Sequence, residues 1–455
     1  MDGDRMQALL KAMLKDKAIK EIADRYGAKK ARTLAYGLAG TQKHAAVAAC
    51  FSLAGPLAII VSDQQELNQW KDDLGCLLPE IEVLELPVLD MAEFNAAAKG
   101  IHRLARRMDV LGRLLQGEQC IVLATVEAAM QKGIGTREYR ELSLSLHTGE
   151  VLEREELLKQ LVKLGYECND QVEMAGDFSV RGGIVDVFPL NSPHPYRIEF
   201  FDNEIESIRQ FNIATQRSMG QLEAVEILPF GGVADKQKKY CFGDFLPENG
   251  RVIIDEPLKS REESIKLLKE NPDIKTRMFS WDELVENLQG RNMLLLSLIL
   301  SDLHGIKPDK IISVQIQGIT SYQKQMNILL SETGDWLSEG RSILMVLGDK
   351  AKAQAMREQL ARNRLASVEA NGEEPLKNGR VNIVQGALLN GFELSGANLV
   401  VITEKDIFGR QKKRLNRVSS EERISHFREI NVGDYVVHNQ HGIGKYLGVK
   451  TMEIE

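Results

Sequence analysis

Short runs of apolar, often β-branched residues alternate with amphipathic stretches along the first part of the chain. The runs Leu57–Ser62 and Cys120–Thr125 have the length of buried strands. Between them, Gln64–Leu74 and Ile101–Leu115 carry apolar residues at helical spacing and charged residues elsewhere. This alternation predicts an α/β unit with a parallel sheet, whose first part we assign to residues 1–143.

The pattern changes to one of antiparallel strands between residues 144 and 228. A predicted helix, Glu153–Leu164, precedes Phe178–Phe188, where two alternating segments flank an Arg-Gly-Gly turn. Tyr196–Phe201 and Glu204–Phe211 also alternate, and an Asp-Asn turn separates them. We therefore predict an inserted α+β domain, in which a helix covers one face of an antiparallel sheet.

Strand and helix patterns return after this insertion. Three runs, Arg251–Asp255, Met293–Ile299 and Lys310–Ile316, are predicted strands. They fall within residues 229–320, which we assign to the second part of the first parallel-sheet domain.

The last part of the chain predicts three further segments. Residues 321–410 carry strand-like runs separated by helical stretches and form a small α/β domain. Residues 411–430 form a basic linker without an apolar period. Residues 431–455 predict two short strands, the start of a small β-barrel that could not close within the sequence. We therefore expect a piece of a longer protein.

Composition and charge limit the classes of function. The 455 residues include 58 Lys and Arg against 65 Asp and Glu, a net charge of -7, which disfavours a surface wholly devoted to nucleic acid. The basic stretch 410–417 keeps a local DNA-binding module open as an alternative. The apolar runs are too short to span a bilayer, so no membrane partner is expected.

The five cysteines are spread along the chain and form no CxxC pair. They are Cys50, Cys76, Cys120, Cys168 and Cys241. This usage is typical of thiols in a reducing compartment, which predicts the cytoplasm. The histidines have no helical HxxxH spacing, so no metal site is expected.

A stretch after the first predicted strand has the outline of a phosphate loop, GxxxxGK[ST]. Gly37, Gly40 and Lys43 fit this outline, but Gln42 stands at the second glycine and His44 at the hydroxyl position. The glycine lets backbone amides surround the phosphates, and the hydroxyl binds magnesium. The sequence therefore favours a helix-start turn in a nucleotide fold that has lost its phosphate site.

A second partial motif follows the strand Arg251–Asp255. Asp255 and Glu256 stand where a Walker B strand would place a magnesium ligand and a water-orienting acid. Acids commonly end buried strands, and Pro257 indicates a plain loop, so we favour a structural role. An ATPase that uses Lys43, Asp255 and Glu256 remains the alternative.

The antiparallel unit carries the strongest indication of a binding surface. Arg181, Arg197 and the pair Phe200-Phe201 lie on neighbouring predicted strands, where alternation directs one Phe to the core and the other to solvent. Arginine and aromatic side chains concentrate binding energy at protein interfaces. An ordinary sheet with arginines lying along its surface is an equally weighted alternative.

Several stretches resemble one group of repair proteins. Glu138–Gly149, Phe178–Pro189 and Arg197–Arg209 resemble the UvrB family of bacterial excision repair. Glu404–Arg414 and Val432–Tyr446 are similar to the linker and the start of the RNA-polymerase-interacting domain of transcription-repair coupling factors. The degenerate phosphate loop also favours the coupling factors, because UvrB keeps this loop intact.

This resemblance implies a RecA/UvrB-like fold for the degenerate domain, and it implies partners. The antiparallel domain is expected to bind UvrA through Arg181, Arg197 and Phe201, with Phe201 in a pocket and both guanidiniums paired with acids of UvrA. RNA polymerase is expected to bind through its β subunit, with Met452 as a contact candidate.

The resemblance also implies how catalysis is distributed. ATP and magnesium belong to a DNA-translocating motor C-terminal to these residues. This region is expected to need no cofactor, to be non-catalytic, and to bind DNA weakly or not at all. The alternative is an active UvrB-like ATPase or helicase subunit of nucleotide excision repair.

Overall fold

A computed structural model gives the fold in residue ranges separated by gaps. It describes residues 6–28, 30–51, 56–89, 98–189, 191–228, 240–303, 305–322, 325–370, 374–409, 435–438 and 442–445. The α-helices are α1 Gln7–Met13, α2 Lys17–Tyr26, α3 Thr41–Cys50, α4 Gln64–Leu77, α5 Ala98–Gln116, α6 Val126–Met130, α7 Thr136–Leu142, α8 Arg154–Lys163, α9 Pro257–Glu270, α10 Trp281–Leu288, α11 Met326–Ser338, α12 Lys350–Arg362 and α13 Glu404–Phe408.

The strands of the same ranges fall into three large sheets and two ribbons. They are β1 Arg32–Tyr36, β2 Leu57–Val61, β3 Glu82–Leu86, β4 Cys120–Thr125, β5 Leu144–His147, β6 Glu167–Cys168, β7 Asp177–Arg181, β8 Ile184–Val187, β9 Tyr196–Phe201, β10 Glu204–Phe211, β11 Ser218–Leu222, β12 Ala224–Ile227, β13 Arg251–Asp255, β14 Asn292–Ser297, β15 Lys310–Ser313, β16 Ile316–Gly318, β17 Ser342–Leu347, β18 Ser367–Glu369, β19 Val381–Gln385, β20 Phe392–Leu394, β21 Leu399–Thr403, β22 Tyr435–His438 and β23 Gly442–Lys445.

The first sheet has seven parallel strands in the order β15-β1-β14-β13-β2-β4-β3. Strands β2, β4, β13 and β14 are buried along their whole length, which explains their continuous apolar sequences. Strands from before and after the antiparallel unit share this sheet. The antiparallel unit is therefore an insertion between β4 and β13.

A layer of helices joins the first sheet to a second α/β sheet. Helices α1 to α4 pack on one face of the seven-stranded sheet, and residues such as Ile59 and Trp70 belong to this core. Leu344 and Val401, from the second sheet, belong to the same core. The second sheet has the order β16-β20-β21-β17-β19-β18. The two sheets thus share one continuous apolar layer.

The inserted domain has a core of its own. Its sheet has the order β11-β10-β9-β8-β7-β6, antiparallel except for the β6–β7 pair. Leu157 and Leu161 of helix α8 pack on one face with Ile198 and Ile208 of the sheet. Strands β5 and β12 pair antiparallel at the two ends of this domain.

The strand predicted over Lys310–Ile316 is confirmed over Lys310–Ser313, but its last residue, Ile316, begins a second strand. The chain leaves the first sheet at Val314, whose amide donates to the Tyr36 carbonyl at 2.9 Å. It then forms β16, which pairs antiparallel with β20 of the second sheet. An apolar run cannot reveal this change of partner, because both strands need the same residue types.

The plain loop predicted at Pro257 was also wrong, because Pro257 is the first residue of helix α9. Proline is well suited to the first turn of a helix, where its missing N–H would have no partner.

The C-terminal predictions fall largely outside the described residues. Strands β22 and β23 pair antiparallel, from Tyr435 with Lys445 to His438 with Gly442. The basic linker 411–430 and Met452 lie beyond the described ranges. Across the described ranges, the protein has no helix long and apolar enough to cross a bilayer.

We predict that Gly37→Ala destabilises the protein through a steric clash with Val314, the residue that follows β15. Gly37 has φ +93°, and an added Cβ would lie 2.4 Å from the Val314 carbonyl oxygen. Gly117 in the same unit has φ +74°, but its nearest atom to such a Cβ is 3.9 Å away. Gly117→Ala should therefore cost only the backbone strain, about 1–2 kcal/mol, and Gly37→Ala about 1–3 kcal/mol more. Urea unfolding curves of both variants measure the difference, and equal losses would contradict the clash.

Candidate functional site

The pleat of strand β9 places a phenylalanine on the surface of the inserted domain. Ile198 and Phe200 pack in the domain core, on the side of helix α8. Arg197, Glu199 and Phe201 point to the opposite side, because successive residues of a strand alternate between faces. The Phe201 side chain is 74% exposed. The structure thus directs one phenylalanine of the pair inward and leaves the other in solvent.

We call this outer side of the sheet the Arg/Phe face and define it by Arg181, Asp186, Arg197, Glu199 and Phe201. Arg181 ends β7 and is exposed, with its Nη2 donating to the Asp170 carbonyl at 3.2 Å. The rest of its guanidinium is open to a partner. Arg181 can therefore offer hydrogen bonds to another protein.

Arg197 is fixed by contacts within the domain. Its Nε and Nη2 each donate to an Asp186 carboxylate oxygen at 2.8 Å. Its guanidinium also lies over the Phe211 ring, 4.5 Å from the centroid. The hydrogen bond with Asp186 raises the pKa of Arg197 above its usual value. Asp186 thus occupies Nε and Nη2 of Arg197 within the domain, and the expectation that both guanidiniums pair with acids of a partner stays a prediction.

The turn beside the Arg/Phe face depends on a close approach of two backbones. The Phe200 amide donates to the Gly183 carbonyl at 2.8 Å. An added Cβ at Gly183 would lie 2.9 Å from the Phe200 carbonyl oxygen. Glycine at this position thus allows β8 and β9 to pair up to the end at which Phe201 emerges.

The degenerate phosphate loop connects β1 to α3. Gly37 leaves β1 with the close approach to Val314 described above, and Gly40 precedes the helix with φ +47°. Gln42 is 8% exposed, and its Oε1 accepts the Ala39 amide at 3.1 Å. A loop amide is thereby satisfied within the chain instead of facing an open phosphate site.

Lys43 forms a buried ion pair with Asp255. Its Nζ donates to the two carboxylate oxygens at 2.7 and 2.9 Å, and the Glu66 carboxylate lies 3.6 Å away. The Trp70 indole donates to the same Asp255 carboxylate at 2.8 Å. Lys43 and Asp255 are 4% and 2% exposed. The structure therefore brings the two predicted remnants together, but their charges neutralise each other.

His44 occupies the hydroxyl position of the degenerate loop and binds a carboxylate. Its Nδ1 lies 2.6 Å from Asp73 Oδ2, to which the Thr41 hydroxyl also donates at 2.7 Å. The imidazole packs against Trp70 with 4.2 Å between ring centroids. An imidazole held in this way cannot replace the magnesium-binding hydroxyl of an intact loop.

The same cluster contacts the second α/β sheet. Asp73 Oδ1 accepts the Leu389 amide at 2.9 Å, and the Thr41 hydroxyl accepts the Asn390 amide at 3.0 Å. Both amides belong to the loop before β20. The start of α3 therefore supports a neighbouring loop, at the end where a phosphate loop would hold its ligand.

Glu256 is bound to the end of strand β14. Its Oε1 accepts the Leu298 amide at 2.9 Å, and its backbone has φ +44°. Burial raises the pKa of Glu256 above its usual value, and the adjacent Asp255 carboxylate acts in the same direction. Within the described residues, no cluster of acids, histidines and cysteines could hold a metal ion.

Sequence reasoning missed Thr41, Trp70, Asp73 and Asp186. One signal was available for Asp73, because it lies on the buried side of α4 with Trp70 and Leu77. A charged residue in an apolar stripe indicates a buried partner. That partner could not be named, since the packing of α3 against α4 brings together residues 29 positions apart.

Comparisons with known proteins agree with this organisation. Residues 144–231 match the family model of the UvrB interaction domain, and residues 430–455 match that of the CarD-like/TRCF RID domain. The transcription-repair-coupling factor of Bacillus subtilis (strain 168) is 30% identical over 474 residues, covering 88% of this chain and 40% of the relative. The transcription-repair-coupling factor of Staphylococcus aureus (strain MRSA252) is 26% identical, and the match covers 93% of this chain and 42% of the relative.

Solved structures add little. A hypothetical ATP-dependent RNA helicase from Sulfolobus tokodaii is 12% identical and covers 84% of this chain and 78% of its own, with a TM-score of 0.24. A score this low supports no conclusion about the fold.

The inserted sheet and its matching family model define a UvrB-related multidomain protein. With the relatives and the second matching domain, the predicted resemblance to transcription-repair coupling factors is confirmed. The chain spans about two fifths of the length of the curated relatives that it matches.

We predict that Lys43→Met destabilises the protein by about 3–5 kcal/mol, because it leaves the Asp255 carboxylate buried without a countercharge. The matched control is Lys259→Met, which removes a lysine that is 45% exposed beside Asp63, where a loss of about 0–1 kcal/mol is expected. Urea unfolding followed by circular dichroism measures both.

The double variant Lys43→Met with Asp255→Asn should recover most of this stability, since no unpaired charge remains and the Trp70 indole keeps an acceptor. If Lys43→Met and Lys259→Met unfold at the same urea concentration, the buried pair is not a structural constraint.

Proposed function

We propose that this region is an adaptor that recruits UvrA to RNA polymerase stalled at DNA damage. The observation that carries the proposal is the exposure of Phe201, at 74%, on the same sheet face as the open guanidinium of Arg181 in a matched UvrB interaction domain. Burying such a side chain in a partner's pocket contributes binding energy that it cannot contribute in the free protein. In this proposal Arg197 has a positioning role, because its contact with Asp186 joins β9 to β8 within the Arg/Phe face.

The polymerase end of the adaptor is supported by the match of residues 430–455 to the CarD-like/TRCF RID domain. We infer the β subunit as the partner, with Met452 as a contact candidate. ATP-driven translocation along DNA is assigned to a part of the protein that these residues do not include, together with ATP and magnesium. The region acts in the cytoplasm without a cofactor and without membrane contact.

The proposal includes the absence of catalysis from the degenerate loop. A triphosphate would have to displace the Asp255 carboxylate from Lys43. It would also have to compete with Gln42 for the Ala39 amide. Both exchanges leave buried polar groups without partners. The free energy lost in this way exceeds the free energy that the contact of one lysine with a phosphate would contribute.

We predict that Arg181→Ala combined with Phe201→Ala abolishes co-elution of the chain with UvrA in gel filtration. Loss of an aromatic anchor costs about 2 kcal/mol or more, or roughly thirtyfold in affinity. The matched control replaces Arg137, 91% exposed, and Val162, 60% exposed on the solvent side of α8, by alanine. The control should co-elute like the original protein. If the test variant also co-elutes while its circular dichroism is unchanged, the UvrA assignment is wrong.

We predict that ATP does not bind to this chain. Isothermal titration with magnesium present should give no saturable heat in the micromolar range, because Lys43 is occupied by Asp255. The Asp255→Asn variant tests this explanation, since it weakens the hold on Lys43 without removing the indole acceptor. Saturable, magnesium-dependent binding by the original chain would instead support the UvrB-like ATPase.

A further inference from the structure

The segment before helix α8 extends the sheet of the Arg/Phe face by a short, extra stretch. Val151 forms an antiparallel bridge with Glu204, the first residue of β10. The Leu152 amide donates to the Asn203 carbonyl at 2.8 Å, and the Ile205 amide donates to the Glu150 carbonyl at 2.9 Å. Residues 150–152 therefore lie beside β10, at the end of the sheet where Phe201 emerges.

Strand pairing places three exposed side chains in one row on the outer side of the sheet. Glu204 is directly opposite Phe201, and Val151 is directly opposite Glu204. Residues directly opposite each other in antiparallel pairs point to the same face. The neighbouring residues agree with this assignment, because Ile205 and Leu152 pack in the domain core on the other face.

In this row an acidic side chain lies between two exposed apolar side chains. Val151 is 77% exposed and Phe201 is 74% exposed, and Glu204 is exposed between them. No described residue forms an ion pair or hydrogen bond with the Glu204 carboxylate. Strands lie about 4.8 Å apart, so the two apolar side chains stand about 10 Å apart with an acid between them.

Neither apolar side chain has a role in folding that explains its exposure. Valine suits an extended strand, but a polar β-branched residue such as threonine would serve the same purpose in solvent. Two apolar side chains around an unpaired acid, on the same face as the open guanidinium of Arg181, form a surface with a defined pattern of charge.

We propose that the surface that binds UvrA extends from Phe201 across Glu204 to Val151. This inference rests on the proposed function and adds residues and a partner chemistry to it. The partner surface has two apolar contact sites about 10 Å apart, with a lysine or arginine between them that pairs with Glu204. On the other side of Phe201, the partner presents an acceptor to Arg181. The opposite charges of Glu204 and Arg181, on the two sides of Phe201, fix the orientation of the bound partner.

The test measures binding of purified UvrA to the immobilised chain by biolayer interferometry. Val151→Ser removes the second apolar contact and should weaken binding by at least fivefold. Glu204→Lys places like charges together and should weaken binding by at least fivefold as well, with a larger effect at low salt. Val162→Ser, on the solvent side of α8, is the matched control and should bind like the original chain.

Two further variants distinguish failure of the proposed extension from failure of the adaptor assignment. Val151→Thr keeps the β-branched shape and should also reduce affinity, so it replaces Val151→Ser if that variant does not fold by circular dichroism. Phe201→Ala tests the proposed function itself. If Phe201→Ala loses binding while the Val151 and Glu204 variants stay within twofold of the original chain, the extension is wrong and the adaptor assignment stands. If Phe201→Ala binds normally, the adaptor assignment fails, and the extension fails with it.

Discussion

The buried ion pair between Lys43 and Asp255 is the constraint on which the seven-stranded sheet and its helices depend. Removing two charges from water costs several kcal/mol, and their attraction offsets this only with short contacts and further hydrogen bonds. Here the two oxygens of Asp255 meet Lys43 at 2.7 and 2.9 Å, and the Trp70 indole donates a third bond. The pair joins α3, α4 and β13. A phosphate could take Lys43 only by leaving the Asp255 carboxylate buried and unpaired.

Asp73 plays a corresponding part between the two α/β sheets. One oxygen accepts from Thr41 and contacts the His44 imidazole, and the other accepts the Leu389 amide. Because helices α1 to α4 share one apolar core with both sheets, these polar bonds are formed where water is excluded. The replacement of a hydroxyl by His44 therefore has a structural explanation. The imidazole packs on Trp70 and contacts the Asp73 carboxylate. A serine side chain at this position is shorter and would not extend as far toward that carboxylate.

Local patterns predicted much of this architecture, and long-range pairing explains what they missed. The strands β2, β4 and β13 were predictable because a parallel sheet covered on both faces needs continuous apolar runs. Alternation alone predicted that one of Phe200 and Phe201 faces solvent, and the resemblance singled out Phe201, which is the exposed one. The Arg197–Asp186 pair could not be predicted, because it depends on which strands become neighbours and in which register. The end of the Lys310–Ile316 run was misread for the same reason, since nothing in an apolar run states which sheet it joins.

The inserted domain is structurally separate from the degenerate phosphate loop, so its Arg/Phe face is built without that loop. The core of this domain contains its own sheet and helix α8, and the β5–β12 pair connects its two ends. Strand pairing and the Asp186 contact fix Arg197 and Phe201, and both lie inside this domain. The geometry of the Arg/Phe face therefore does not depend on any nucleotide bound at α3. A nucleotide cycle needs a lysine that can exchange partners, whereas a docking face needs side chains that stay in place. The buried pair ties Lys43 to one partner in the first unit, and the independent sheet holds the side chains of the Arg/Phe face in the other.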